Sequence, residues 1–235
     1  MFFLNSIHFR SIIWADVKVT PRLEKIISPN KGCSSLELLC SITTKKESIS
    51  PETFFLHLTE SEHVQLYKLI LDEVLRETSL REYTISLNTP VQVIRNFEKL
   101  LPIFLNHTEQ KIALELLESD IQALGTYEYG MLEKISQLPS VFLWLDDFGN
   151  NQSNFDILLS KRVDFNTVKV SKELFWQLIN LDRGFLQSLL SFLSKSYNVI
   201  VEGVETKEQL DFLTVIKGVR VQGFYFNPQR VTANG

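Results

Sequence analysis

Two spacings of apolar residues alternate along this chain. Short apolar runs of strand length are separated by longer stretches in which apolar positions recur every three or four residues. The first clear strand covers 36–42. The first helix covers 59–77, with Val64, Leu66, Leu69, Ile70, Val74 and Leu75 on its buried side. A strand over 83–87 is followed by a helix over 90–105, with Pro90 suited to a first turn. Strand 111–117 precedes a helical stretch over 120–138, and strand 141–145 runs into a Gly149-Asn150-Asn151 loop. Strand 167–170 leads into a long amphipathic helix over 172–196, and strand 198–201, helix 207–215 and strand 219–224 close the series.

Strands alternating with helices predict βα units and a mostly parallel sheet. Seven such strands exceed a small open sheet and suit an α/β fold of the modified TIM-type (β/α)8 class, the first 32 residues supplying an irregular early strand. No repeat, low-complexity run or Pro/Gly-rich linker follows Gly32, so residues 1–235 are expected to form a single domain.

Composition narrows the classes of function. At 44% hydrophobic and 22% charged residues the chain is an ordinary globular protein, with mass enough for a substantial core. A net charge of -4 argues against a broad basic surface for polymeric nucleic acid, yet leaves room for a small phosphate ligand. The two cysteines, Cys33 and Cys40, lie in one apolar stretch and are expected to be reduced. No segment reaches the roughly 18 consecutive apolar residues of a membrane span. The apolar opening Met1-Phe2-Phe3-Leu4 is soon broken by Asn5, Ser6, His8 and Arg10, so the expected compartment is the cytoplasm.

The chemistry concentrates in and just after the strands. Glu37 lies in the first, Asn88 at the end of the second and Glu115 in the third, while Asp146 and Asp147 end the fourth. Lys169 lies in the fifth, Glu202 and Glu205 follow the sixth, and Gln222 lies in the last. A barrel gathers its C-terminal strand ends on one face, where active sites form. So many carboxylates in one mouth repel unless cations neutralise them, which implies divalent metal. Oxygen donors without His or Cys favour Mg²⁺ or Mn²⁺, and none of His8, His57, His63 and His107 falls at a strand end. Adjacent aspartates suit a two-metal site, whose ions sit roughly 3.5–4 Å apart. Each residue has a plainer reading taken singly: Asp147 as a helix cap, Glu37 and Lys169 as solvent-facing strand positions, Glu202 and Glu205 as a charged first helical turn. It is their order on successive strand ends that strains those readings.

These residues also carry a family resemblance. Glu37-Leu38-Leu39, Asn88-Thr89-Pro90, Glu115-Leu116-Leu117-Glu118-Ser119, Asp146-Asp147-Phe148-Gly149, Lys169, Glu202-Gly203-Val204-Glu205-Thr206 and Gln222-Gly223 resemble, in order, the motifs of the EAL family of cyclic di-GMP phosphodiesterases, over about 15–230. The resemblance implies hydrolysis of cyclic di-GMP to linear pGpG. It assigns Glu37, Asn88, Glu115 and Asp146 to a first metal, with Asp146 shared, and Asp147 and Glu202 to a second. Lys169 is implied to orient the attacking water, Glu205 and Gln222 to position water and ligands, and Glu118 to steady the loop after Asp146-Asp147-Phe148-Gly149. A homodimer and outputs such as motility, fimbriae or biofilm are implied at family level. The chain departs from the pattern at Ser41, where the family carries an Arg, and at Thr20-Pro21, the nearest match to its Gln-Pro. It departs again at Gly149-Asn150-Asn151-Gln152-Ser153, where the family reads Gly-x-Gly, and around 164–171, where two residues are added and Ser171 replaces an Asp. These departures motivate a competing class, a non-hydrolysing module that binds a protein partner, while they argue against a third, a receptor that binds the nucleotide without cleaving it.

Overall fold

The computed structural model of the chain describes residues 7–150 and 155–226, so expectations placed on 1–6, 151–153 and beyond 226 lie outside the described residues. Its strands are β1 (Ile12–Trp14), β2 (Val17–Ser28), β3 (Gly32–Thr43), β4 (Ser48–Ile49), β5 (Thr84–Asn88), β6 (Lys111–Leu117), β7 (Val141–Phe148), β8 (Thr167–Val170), β9 (Asn198–Val201) and β10 (Val219–Val221). Eight of these close into a barrel in the order β2-β3-β5-β6-β7-β8-β9-β10, with β10 returning to β2. From β3 to β10 every neighbour pairs in parallel, whereas β2 runs antiparallel to both β3 and β10. The early strand is thus a long hairpin arm running against the rest. Its only irregularity is a register shift between Ile26 and Ile27. β1 and β4 extend the β2–β3 hairpin outside the ring.

Period-two alternation sorts each strand's side chains between two cores. Leu36, Leu38, Leu114, Leu143, Leu145, Val168 and Val199 pack outward under the helices. Inside the barrel Ile26, Ala113, Trp144 and Ile200 form a small apolar plug, with Phe142 against it. Below, Arg220 donates to Ser35 Oγ at 2.9 Å, and its guanidinium lies 5.5 Å from the Trp144 ring centre.

The helices are α1 (Pro51–Leu56), α2 (Glu60–Leu75), α3 (Val91–Arg95), α4 (Leu101–Asn106), α5 (Glu118–Gln122), α6 (Thr126–Ser136), α7 (Asp156–Leu159), α8 (Lys172–Leu181), α9 (Arg183–Leu193) and α10 (Lys207–Thr214). Three stretches that read as single helices are broken. The 90–105 segment divides at Asn96, and Pro90 caps α3 instead of entering its first turn. Gly125 separates α5 from α6, and Asp182 leaves α8 in extended conformation to cap α9 by accepting from Phe185 N at 2.9 Å. The start of α2 follows its sequence signal, Thr59 and Glu62 forming a reciprocal capping box. Cys33 and Cys40 are free thiols on β3, and no helix among the described residues is long and apolar enough to cross a membrane.

Candidate active site

The site is one step up from the apolar plug. Two residues beyond Ala113, Trp144 and Ile200 on their strands come Glu115, Asp146 and Glu202, and on the reversed β2 the residue two before Ile26 is Glu24. Side chains two apart on a strand share a face, so plug and polar ring are consecutive layers of one interior. β3 adds Glu37, directly opposite Glu24, and Gln222 follows directly on β10.

Lys169 on β8 occupies the centre of this ring. Its Nζ lies 2.9 Å from Glu115 Oε2, 2.9 Å from Asp146 Oδ1, 2.9 Å from Glu202 Oε1 and 3.8 Å from Glu37 Oε1. Gln222 Nε2 donates to Glu37 Oε2, and Asn88 Nδ2 donates to Glu37 Oε1 at 3.4 Å. Five strands of the barrel and the turns after β9 and β10 therefore supply one connected polar network.

Its charge is unbalanced, with four carboxylates around one ammonium. Burial would drive the Lys169 ammonium toward its neutral form, but Asp146, Glu115, Glu202 and Glu37 together hold its pKa well above the ordinary lysine value. Burial raises the Glu115 carboxyl well above the usual range; Lys169 opposes the shift, and Glu37 and Asp146 add to it. Burial likewise pushes Glu202 up to about 8, against the pull of Lys169.

Asp147 reaches the mouth through a backbone device. Leu145 pairs with Val168 but Phe148 pairs with Val170, so β7 spends one extra residue there, a bulge. Strict alternation would turn Asp147 outward after the inward Asp146. The bulge, with Asp147 at φ 57°, holds it at the mouth and still sends Phe148 into the outer core. Burial and then the Asp146 charge raise the Asp147 pKa. Glu118, the first residue of α5, accepts from Gly149 N at 3.2 Å, the loop contact the resemblance implies. At the end of β5 the buried Tyr67 hydroxyl donates to Thr89 Oγ1, which itself donates to Leu87 O, pinning the bend that carries Asn88.

Not every predicted residue joins. Glu205 is exposed on the rim, where Lys172 Nζ lies 3.6 Å from its Oε1, and makes no contact with the ring. Thr20 does not stand beside Glu37: β2 pairs it with Ser41, and its Oγ1 shares a hydrogen bond with Ser11 Oγ at 2.9 Å. Glu24 holds the place next to Glu37 and is missing from the sequence reading. Only the inward positions Glu24 and Ile26 mark it, and their facing is fixed by a hairpin register that composition does not reveal. Ser171 caps α8 by accepting from Leu174 N at 3.3 Å.

Among the described residues no group of three or more His, Cys, Asp or Glu is arranged as a metal site by itself, because the carboxylates converge on Lys169 Nζ. The donor set nonetheless fits a hard divalent cation. It is all oxygen, it carries surplus negative charge, and Glu115 Oε1 is buried without a hydrogen-bond partner among the described residues.

A closed (β/α)8 barrel with an acidic, lysine-centred mouth defines a class, and comparison with known proteins narrows it. The EAL domain family profile matches residues 19–229. The chain belongs to the EAL domain family. It is 27% identical to the cyclic di-GMP phosphodiesterase PdeH of Escherichia coli (strain K12) over 203 residues, 82% of this chain and 76% of that protein. Its fold is similar to that of a MucR phosphodiesterase solved as a c-di-GMP complex, with a TM-score of 0.74 at 22% identity, covering 89% of this chain and 90% of that one. It is also similar to BlrP1 of Klebsiella pneumoniae, solved as a manganese/cy-diGMP complex, with a TM-score of 0.74 at 19% identity, covering 92% of this chain and 56% of that one.

Proposed function

We propose that this protein is a metal-dependent phosphodiesterase that opens cyclic di-GMP to linear pGpG. The observation that carries the reading is the convergence of Glu37, Glu115, Asp146 and Glu202, from separate strands, on one buried lysine at the C-terminal mouth of the barrel. Glu37, Asn88, Glu115 and Asp146 would hold one Mg²⁺ or Mn²⁺, and Asp147 and Glu202 a second. Bound there, the ions make a water acidic enough to attack near neutral pH and offset the charge of the phosphodiester.

The chain's own groups do the rest. Gln222 and Asn88 fix the rotamer of Glu37 by donating to its two oxygens. Lys169 supplies a fixed positive charge beside the reacting phosphate, where charge builds as water oxygen bonds to phosphorus and the P–O bond to the leaving ribose oxygen breaks. Glu118 holds the Gly149 amide and with it the turn behind Asp146 and Asp147. Glu205 reaches the reacting centre only if it leaves Lys172. The same reading carries a homodimer that removes the messenger in the cytoplasm.

The test is chromatographic detection of pGpG from cyclic di-GMP with Mn²⁺ or Mg²⁺, beside Glu37→Ala. Metal-dependent product that disappears in the variant is the expected result. A folded, metal-binding protein that yields none moves the assignment to a regulator acting through a protein partner.

A further inference from the structure

Asn88 ends β5, and among the described residues its side chain makes one hydrogen bond, the 3.4 Å contact to Glu37 Oε1. Its place therefore depends on the bend that carries it. Pro90 has no N–H to give and restricts Thr89 before it to extended backbone, so Thr89 must tie that bend down. It does so three times over. Its N–H donates to Glu115 O at 2.8 Å, its hydroxyl donates to Leu87 O at 2.9 Å, and the same oxygen lies 2.9 Å from the Tyr67 hydroxyl. A threonine hydroxyl has one proton, here given to Leu87, so the proton between the two hydroxyls is that of Tyr67.

Tyr67 reaches this point from α2, in the helix layer outside the barrel, where its ring is buried in the main core. Burial pushes its phenol above the usual range, so it stays a hydrogen-bond donor. The strands that Thr89 joins, β5 and β6, pair Asn88 with Glu115, and both side chains fall to the first metal. One buried hydroxyl from the outer layer thus stands behind two ligand positions of the inner one.

We propose that Tyr67 is a positioning residue for the first metal, its hydroxyl acting through Thr89 to fix the spacing of Asn88 and Glu115 and so to set the affinity for Mg²⁺ or Mn²⁺. Groups behind metal ligands orient them, and losing one lowers metal affinity about 10–100-fold. The proposal rests on the two-metal phosphodiesterase reading above and adds to it the side chains that hold the ligands in place.

The experiment is titration of the full chain with Mn²⁺ alone, followed by calorimetry and by the electron paramagnetic resonance signal of free Mn²⁺. Hydrolysis of cyclic di-GMP at graded Mn²⁺ and melting in chelator are measured beside it. Wild type is compared with Tyr67→Phe, Thr89→Val, Thr89→Ser and the double variant Tyr67→Phe/Thr89→Val. Tyr67→Phe and Thr89→Val are each expected to weaken Mn²⁺ binding about tenfold, while kcat and KM at saturating Mn²⁺ change by less than about threefold. The double variant is expected to be no weaker than either single one, since both break the same chain of contacts. Thr89→Ser, which keeps the hydroxyl, is expected to bind Mn²⁺ within about twofold of wild type. Unchanged Mn²⁺ affinity in Tyr67→Phe and Thr89→Val overturns the role of Tyr67 and leaves the phosphodiesterase standing, even where the melting midpoint falls, because packing alone would lower the midpoint. A folded wild type that binds no Mn²⁺ overturns both. If Tyr67→Phe does not fold, Thr89→Val against Thr89→Ser decides, equal affinity in the two overturning the proposal.

Discussion

Lys169 shows how one residue couples folding to chemistry. Its ammonium is the one cation among four buried carboxyl groups, of which burial holds Glu115 and Glu202 toward the protonated form, so before any metal binds it is the counter-ion of the charges that remain. Lys169→Met leaves those charges uncompensated, and breaking a buried ionic cluster from one side costs about 3–5 kcal/mol. Urea denaturation in chelator is expected to show that loss, and Mn²⁺ is expected to recover more stability in the variant than in wild type. A variant as stable as wild type in chelator would mean the carboxylates are already neutral. Gly149 is a second single-residue constraint, because it sits at φ 98° and a Cβ there would come within 2.2 Å of Leu174 Cδ2. Gly149→Ala must shift both the loop and α8, at about 1–3 kcal/mol for the backbone strain alone. Expected with it is loss of turnover, as the amide leaves Glu118. Turnover and thermal midpoint both equal to wild type would show that the loop carries no constraint.

At the scale of elements, α8 braces the acidic turn that follows β9. Trp176 Nε1 donates to Gly203 O at 2.7 Å, and Lys172 Nζ lies 4.0 Å from the Trp176 ring centre, midway in the chain of contacts to Glu205. Trp176→Phe keeps an aromatic ring beside Lys172 but removes the indole N–H, and the lost hydrogen bond is worth about 1 kcal/mol apart from the packing lost with the smaller ring. Turnover is expected to fall several-fold through a looser 202–205 turn, while KM changes little; an unchanged turnover separates α8 from the site. The sequence foretold such elements unevenly. The strand over 83–87 was legible from the alternation of Thr84, Ile85, Ser86 and Leu87, and those over 111–117 and 198–201 from the nearly continuous apolar runs of parallel strands buried on both faces. The breaks at Asn96, Gly125 and Asp182 were not, since apolar periodicity continues across them and only the caps record the change of direction. The bulge in β7 was equally hidden: Asp146-Asp147 announces two carboxylates, but which of them faces inward depends on pairing with β8.

At the scale of the molecule the barrel closes because β2 runs backwards to seal β3 against β10, and that reversal sets Glu24 directly opposite Glu37. The alternation of strand and helix predicted a barrel but carried no mark of this direction. Most ring members were legible from their order on strand ends, while their charge balance is a property of the closed structure, and it fixes a pH dependence. Glu202 moves from the ordinary carboxylate value of 4.5 to about 8 on folding, with burial as the main cause. Between those values the folded state holds a proton that the unfolded chain has released, so stability falls as pH rises, by at most about 1.4 kcal/mol per pH unit for one proton. The raised Glu115 acts in the same direction. Lys169, raised above 10.5, contributes stability that is intact across this window and is lost only above it. In chelator the thermal midpoint is therefore expected to drop between about pH 5 and 8, by about 2–4 °C for each kcal/mol lost. Divalent ions require the deprotonated carboxylates, so Mn²⁺ is expected to raise the midpoint more at pH 8 than at pH 6 and to flatten the slope. Melting curves at several pH values with and without metal test both halves. A midpoint that climbs with pH in chelator contradicts the buried carboxyl, and a metal effect that does not grow with pH contradicts the ring as its binding place.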